Sequence, residues 1–302
     1  MAKLIKIPSA FTPVTFIINK DDYIEFNGKL WEFKIDNQAY YPRTMQDLTK
    51  YYPLVIKYVK EKLQVEDKEI AISLPAEDYI RFASEEQTEI KALQEKVKKE
   101  TGTEIKVFPQ GVSALIKIIK EKGLDKDKNT LVIDGGFNTV NTIVVDENMK
   151  IIWIKTYHNE IGIRNLLDKY FYPLLSEIQP TPRNLQTIKR IFLKGKMDVG
   201  LEEIDITPEK NQALSNFIPM LFEKVIKDIS LENITFDQIA IVGGLSYYVP
   251  QEFVKTNKKI FIPRENGEFY TVMGMYEKSG ITSVDFGFGD IKICLKDKDQ
   301  ES

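Results

Sequence analysis

Histidine and cysteine are almost missing from this chain of 302 residues, which has one of each, His158 and Cys294. A single cysteine rules out an internal disulfide and suits a reducing cytoplasm. A single histidine speaks against a multi-histidine metal site and against a Ser-His-Asp triad, so His158 reads as a structural or surface residue. Cys294 alternates with Ile293 in an apolar run and reads as core. There is no basic surplus either. Lys and Arg number 42 against 45 Asp and Glu, a formal charge of -3, which argues against direct nucleic-acid binding. No apolar run approaches the roughly eighteen residues of a membrane span, and the N-terminus lacks a secretory apolar segment. The expectation is a soluble cytoplasmic protein with no membrane partner. Tandem repeats and low-complexity tracts are absent. What remains is ordinary globular material, 43% hydrophobic and 29% charged, enough for one large domain or two moderate ones.

What the chain does contain is a glycine turn between two β-rich runs, Asp285-Phe286-Gly287-Phe288-Gly289-Asp290-Ile291-Lys292. Glycines let backbone N–H groups approach a phosphate closely, because no Cβ blocks the way. Lys292 adds a compact positive charge, and Asp285 can hold the water shell of a magnesium ion. The device recurs at Ile133-Asp134-Gly135-Gly136-Phe137-Asn138-Thr139, and another apolar strand ends in Gly243-Gly244. A single Asp-x-Gly turn is a common hairpin. Two copies plus a paired-glycine strand end favour ATP held between two related domains.

Spacing of apolar residues predicts short strands over residues 5–9 and 15–18, and a hairpin over 23–33 turning at Asn27-Gly28. A helix is expected over 44–63, with Pro53 as a possible start, then a strand over 69–74 ending at Pro75. A charged helix over 84–100 closes at Gly102. A strand over 105–108 leads to a helix from Pro109-Gln110 to Lys122, and 123–128 is a polar break. A three-strand meander is expected over 130–157, helices over 162–177, 185–193 and 210–230, a strand over 238–244, a helix over 269–278, and the terminal hairpin.

These motifs resemble the actin-like ATPase superfamily, and within it the ParM-like plasmid-segregation filaments. Asp285-x-Gly287-x-Gly289-x-x-Lys292 is similar to the family's first phosphate loop, and Asp134-x-Gly136-x-x-Thr139 to its second. Ile241-Val242-Gly243-Gly244 is similar to the adenosine motif, and Phe108-Pro109-Gln110-Gly111 to the helix start carrying a water-positioning glutamine. The segments Ile7-Pro8-Ser9-Ala10, Leu74-Pro75 and Glu268-Phe269 fit the ParM-like subgroup.

The order differs, because the family's first phosphate hairpin precedes the segment like Ile7-Pro8-Ser9, whereas here it follows everything else. A circular permutation is the expectation. The resemblance implies an α/β, actin-like (ribonuclease H-like) two-domain fold with mixed five-stranded sheets. Domain I would comprise residues 1–122 plus 266–302, with a smaller subdomain near 34–66, and domain II residues 123–265.

It also implies ATP (or GTP) and Mg2+ as cofactors, with Asp285 and Asp134 on the metal's waters and Gln110 on the attacking water. Gly287, Phe288, Gly289, Asp290, Lys292, Gly136, Phe137, Asn138 and Thr139 would bind phosphates. Gly243, Gly244 and Leu245, with Lys189 and Arg190, would bind adenosine. Asn141 departs from the acidic residue, and Val140 from the threonine, that the family often has. Implied partners are further copies in a filament and an adaptor protein on plasmid centromeric DNA. The alternatives are a non-filamentous ATP-binding protein or kinase of the same superfamily, and a nucleotide-binding scaffold without turnover.

Overall fold

The computed structural model describes residues 2–15, 23–35, 39–42, 44–84, 88–158, 160–181 and 183–296. Strand β1 is Lys3–Pro8, β2 Phe11–Pro13, β3 Ile24–Phe26 and β4 Lys29–Phe33. Asn27 and Gly28, both at positive φ, make the β3–β4 turn. The strand expected over 15–18 falls mostly outside the described residues. The strand of this stretch comes earlier, where fully buried Phe11 pairs with Phe33.

Helix α1, Met45–Lys62, starts at a capping box: the Thr44 hydroxyl accepts from Asp47 N–H, and the Asp47 carboxylate accepts from Thr44 N–H. Pro53 therefore lies inside the helix rather than at its start. Its missing N–H leaves the Thr49 carbonyl without its helical donor. Lys96 compensates, donating its ammonium to Thr49 O at 3.4 Å and Lys50 O at 3.1 Å.

The chain continues through β5 (Glu69–Leu74), α2 (Ala76–Ser84), α3 (Thr88–Thr101), β6 (Glu104–Pro109) and α4 (Val112–Lys120). Helix α2 was not expected, because Pro75 reads as a strand end. Its carbonyl opens the helix by accepting Tyr79 N–H at 2.8 Å. Helix α3 begins at Thr88, later than the expected 84, and α4 begins after Gln110 rather than with it.

Strands β7 (Thr130–Gly135), β8 (Thr139–Val145) and β9 (Ile151–His158) form the meander. A helical stretch follows: α5 (Ile163–Asn165), a π-helical segment (Leu166–Phe171) and α6 (Tyr172–Ile178). Then come α7 (Leu185–Lys194), the unexpected hairpin β10 (Lys196–Val199) and β11 (Glu202–Asp205), and α8 (Thr207–Leu231). The last elements are β12 (Gln238–Val242), β13 (Lys259–Phe261), α9 (Tyr270–Ser279), β14 (Ser283–Phe286) and β15 (Asp290–Leu295). No helix among the described residues is long and apolar enough to cross a membrane.

The chain divides into two compact units, Lys122–Glu268 and the residues on either side of it. The flanking unit has the sheet β1-β15-β14-β5-β6, and the inner unit the sheet β9-β8-β7-β12-β13. The first two pairings in each are antiparallel and the last two parallel. The two sheets thus match strand for strand. The inner unit is traversed in the order β7, β8, β9, β12, β13. The flanking unit follows the same cycle from a different entry point, so its two central strands come last in the chain.

In the flanking unit, Val284, Phe286, Ile291 and Ile293 point into a core with Tyr52, Ile56 and Val97, all almost fully buried. On the opposite face α9 crosses α4 so closely that a Cβ on Gly274 would lie 1.7 Å from Ser113 O. The inner core packs Leu131, Ile133 and Val144 against Leu166, Phe171, Phe217 and Leu221. Cys294 is buried, and burial pushes its thiol up to about 12; His158 is exposed at the end of β9.

Candidate functional site

In the flanking unit the β14–β15 turn is closed by Gly287 N–H donating to Asp290 O at 3.2 Å. Ser9, just past β1, clamps it from outside: its N–H donates to Gly289 O at 3.2 Å and its hydroxyl to Gly287 O at 2.5 Å. Asp285, the next-to-last residue of β14, is 6% exposed. Its Oδ1 accepts from the Ser73 hydroxyl at 2.5 Å and from Gln110 Nε2 at 2.6 Å. Lys292, its register partner on β15, brings Nζ to 3.6 Å from Oδ2. That ammonium also lies 3.3 Å from where a Cβ on Gly287 would stand, so it sits against the glycine turn. Gln110, just past β6, is itself positioned by the neighbouring strand β5, its N–H donating to Leu74 O at 2.8 Å. The Asp290 carboxylate turns to Lys6, 3.7 Å away, which leaves its main chain for the turn.

The inner unit repeats the turn. Gly136 N–H donates to Thr139 O at 2.7 Å, and the start of α5 clamps it through Ile163 N–H to Gly136 O and Arg164 N–H to Phe137 O. Asp134 stands opposite Asn141, whose Oδ1 accepts from Thr156 at 3.0 Å. Gly243 sits at φ +74°, where a Cβ would lie 2.4 Å from Asp134 Oδ1 and 2.7 Å from Gly135 O. Only glycine allows that approach. Gly244 opens a short 3-10 turn with Leu245, a fully buried residue whose side chain packs against Gly135. Lys189 places its ammonium 6.0 Å from the Phe137 ring centroid, and Arg190 is exposed on the same helix. Asn138 Oδ1 is buried within the turn with no hydrogen-bond partner among the described residues.

Within each unit, then, the residues singled out from the sequence converge on one glycine turn: Gln110, Asp285, Gly287 and Lys292 on one, Asp134, Gly136, Gly243 and Gly244 on the other. Sequence reasoning missed Ser73 and the clamping role of Ser9. Ser73 carried a signal, a hydroxyl in the otherwise apolar run Ile70-Ala71-Ile72-Ser73-Leu74. Among the described residues no three His, Cys, Asp or Glu side chains could together cage a metal ion. Single carboxylates at glycine turns suit magnesium, which keeps most of its waters and takes phosphate oxygens as further ligands.

Solved structures share this architecture. The archaeal actin homolog Ta0583 superposes with a TM-score of 0.70 at 14% identity, over 91% of this chain and 92% of that one. The fold is actin-like. A ParM in a 15-stranded filament from Clostridium botulinum matches with a TM-score of 0.56 at 16% identity, over 90% and 91% of the two chains. Bacillus thuringiensis ParM with AMPPNP gives 0.56 at 12% identity, over 90% and 91%. No protein-family model and no curated protein matches the actin-like chain described here.

Proposed function

We propose that this chain is an ATPase (or GTPase) that uses magnesium and assembles into nucleotide-dependent filaments. The observation that carries the reading is Asp285 at a glycine turn, with Gln110 and Lys292 both directed at its carboxylate. Bound magnesium would supply charge neutralisation on the phosphates; in the flanking unit Asp285 would hold it through water, and in the inner unit Asp134 is suited to the same role. In the flanking unit the N–H groups of the glycine turn and Lys292 bind phosphate oxygens, and the inner unit's turn offers N–H groups of the same kind. Gln110 orients the attacking water. With Nε2 donating to Asp285, the plane of the amide is set, and so is the direction of Oε1, the atom that accepts from that water. Gly243, Gly244 and the Leu245 backbone pass close to the nucleoside, with Lys189 and Arg190 beside it.

Self-association is supported by the likeness to the Clostridium botulinum ParM, whose structure is a filament. The net charge of -3 favours reaching plasmid DNA through an adaptor protein rather than directly. We also read the chain order as a circular permutation, which is supported by the cyclic correspondence of the two sheets. A second reading, nucleotide binding without turnover, is favoured by Asn141, a neutral amide already engaged by Thr156 opposite Asp134.

Light scattering with ATP, with GTP and with neither, each with magnesium, run alongside phosphate release, tests the proposal. Scattering that rises with nucleotide, together with phosphate release, is the expected outcome. Binding with neither supports the scaffold, and turnover only with an added sugar supports a kinase.

A further inference from the structure

Resting on the nucleotide reading above, we propose that Ser73 is a positioning residue. It fixes the orientation of the Asp285 carboxylate, and through that carboxylate the amide of Gln110.

After Glu69, strand β5 is apolar apart from this residue, and Ile70, Ala71, Ile72 and Leu74 are fully buried around a Ser73 that is 1% exposed. A hydroxyl in such a place destabilises the fold unless it is hydrogen-bonded. Ser73 spends its one donor on Asp285 Oδ1, at 2.5 Å. The backbone behind it is held as well. The Tyr52 hydroxyl, on a fully buried side chain of α1, donates to Ser73 O at 2.6 Å. The Tyr52 ring stands edge-on to Phe286, the residue after Asp285, with centroids 5.2 Å apart.

Ser73 and Gln110 share Oδ1, with 3.5 Å between Gln110 Nε2 and the Ser73 hydroxyl oxygen. That arrangement sets the rotation of the carboxylate and turns Oδ2 toward Lys292 and the glycine turn. Removing the Ser73 donor lets the carboxylate rotate, so the metal's water shell and the glutamine lose their reference together. In the inner unit the residue paired with Asp134 on β12 is Val242, which has no donor in its side chain.

The test uses the full chain with Ser73→Ala and Ser73→Thr. Affinity for a fluorescent ATP analogue is titrated with magnesium and without it, and kcat and KM are measured alongside. Ser73→Ala should keep metal-free affinity within about twofold and raise the magnesium concentration for half-maximal binding by about tenfold, the scale of one hydrogen bond to a charged group. It should also lower kcat with little change in KM, and Ser73→Thr, which keeps the hydroxyl, should restore both. Wild-type magnesium dependence and kcat in Ser73→Ala overturn the inference while leaving the nucleotide reading standing. Equal losses in both variants, with matching falls in melting temperature, show a packing role and overturn it too. A wild-type chain that binds no nucleotide overturns the reading beneath it.

Discussion

One five-stranded sheet is built twice in this chain, from two chain orders and around two different polar positions. In the inner unit the strands arrive as a simple run, and Asp134 stands opposite the neutral Asn141 and against the backbone of Gly243. In the flanking unit the central strands arrive last, and Asp285 meets the charge of Lys292, the hydroxyl of Ser73 and the amide of Gln110. Chain order and sheet geometry are therefore separable, since the same pairings form from either sequence of strands. Polar chemistry is separable as well. One turn is equipped to orient charge, the other to let backbone come close.

The largest effect should come from the late arrival of β14 and β15. Deleting residues 283–295 removes two central strands and the buried Val284, Phe286, Ile291 and Ile293, each worth about 2–4 kcal/mol in a core. The flanking unit should not fold, as near-UV circular dichroism and protease resistance would show. Moving the same segment ahead of Lys3 should be tolerated, because Lys3 and Leu295 are register partners that a short hairpin loop can join. A rearranged chain that fails to fold would break the correspondence between the two sheets.

Next come the carboxylates. Asp285→Ala should lower phosphate release by about 10³-fold and Asp134→Ala by about 10²-fold, within the range for removing a preorganised polar group. A larger loss at Asp134 would reverse the comparison. Smaller again is Gly243→Ala, which forces a Cβ against Asp134 at positive φ and should cost about 1–3 kcal/mol in denaturant titration. Gly289→Ala, with no neighbour within 4 Å of the new Cβ, should stay within about 0.5 kcal/mol.

Much of this was legible in the sequence because glycine turns after apolar strands have a narrow meaning. Asp285, Gly287 and Lys292 come together through local hairpin register, which spacing alone predicts. Gln110 needed the family resemblance, since nothing local says that the end of β6, one strand removed from β14, reaches Asp285. Ser73 was hidden for a related reason: one serine in an apolar strand is ambiguous until its neighbouring strand is known. Helix α2 was missed because proline signals the end of β5 and the start of the helix equally well. The hairpin β10–β11 was missed because two four-residue strands rich in charge give too short a pattern to read. Pro53 misled in the opposite direction: the helix runs through it, and Lys96, distant in sequence, supplies a donor to the carbonyls below it.

The smallest expected effect is a pH dependence that also compares the two units. In the flanking unit Glu277 on α9 bonds Lys117 and Lys120 of α4; burial alone would raise its pKa, but the two lysines outweigh that and hold it below the ordinary glutamate value. In the inner unit Asp228 on α8 is likewise lowered, burial being outweighed by the Tyr157 hydroxyl and Lys155. A carboxyl whose folded pKa lies below its unfolded one contributes stability that is fully present above the unfolded value. That contribution is lost as pH falls through the folded one. Both units should therefore weaken in acid below the ordinary carboxylate range, by no more than about 1 kcal/mol for each partly exposed pair. Glu277→Gln should flatten the acid slope of the flanking unit, and Asp228→Asn that of the inner one, in denaturation curves followed at several pH values. Because Lys117 and Glu277 join the helix after Gln110 to the helix before Asp285, the first variant should also leave phosphate release less acid-sensitive than the second. Equal sensitivity in the two would mean that the α4–α9 pairing holds the fold without holding the two residues it connects.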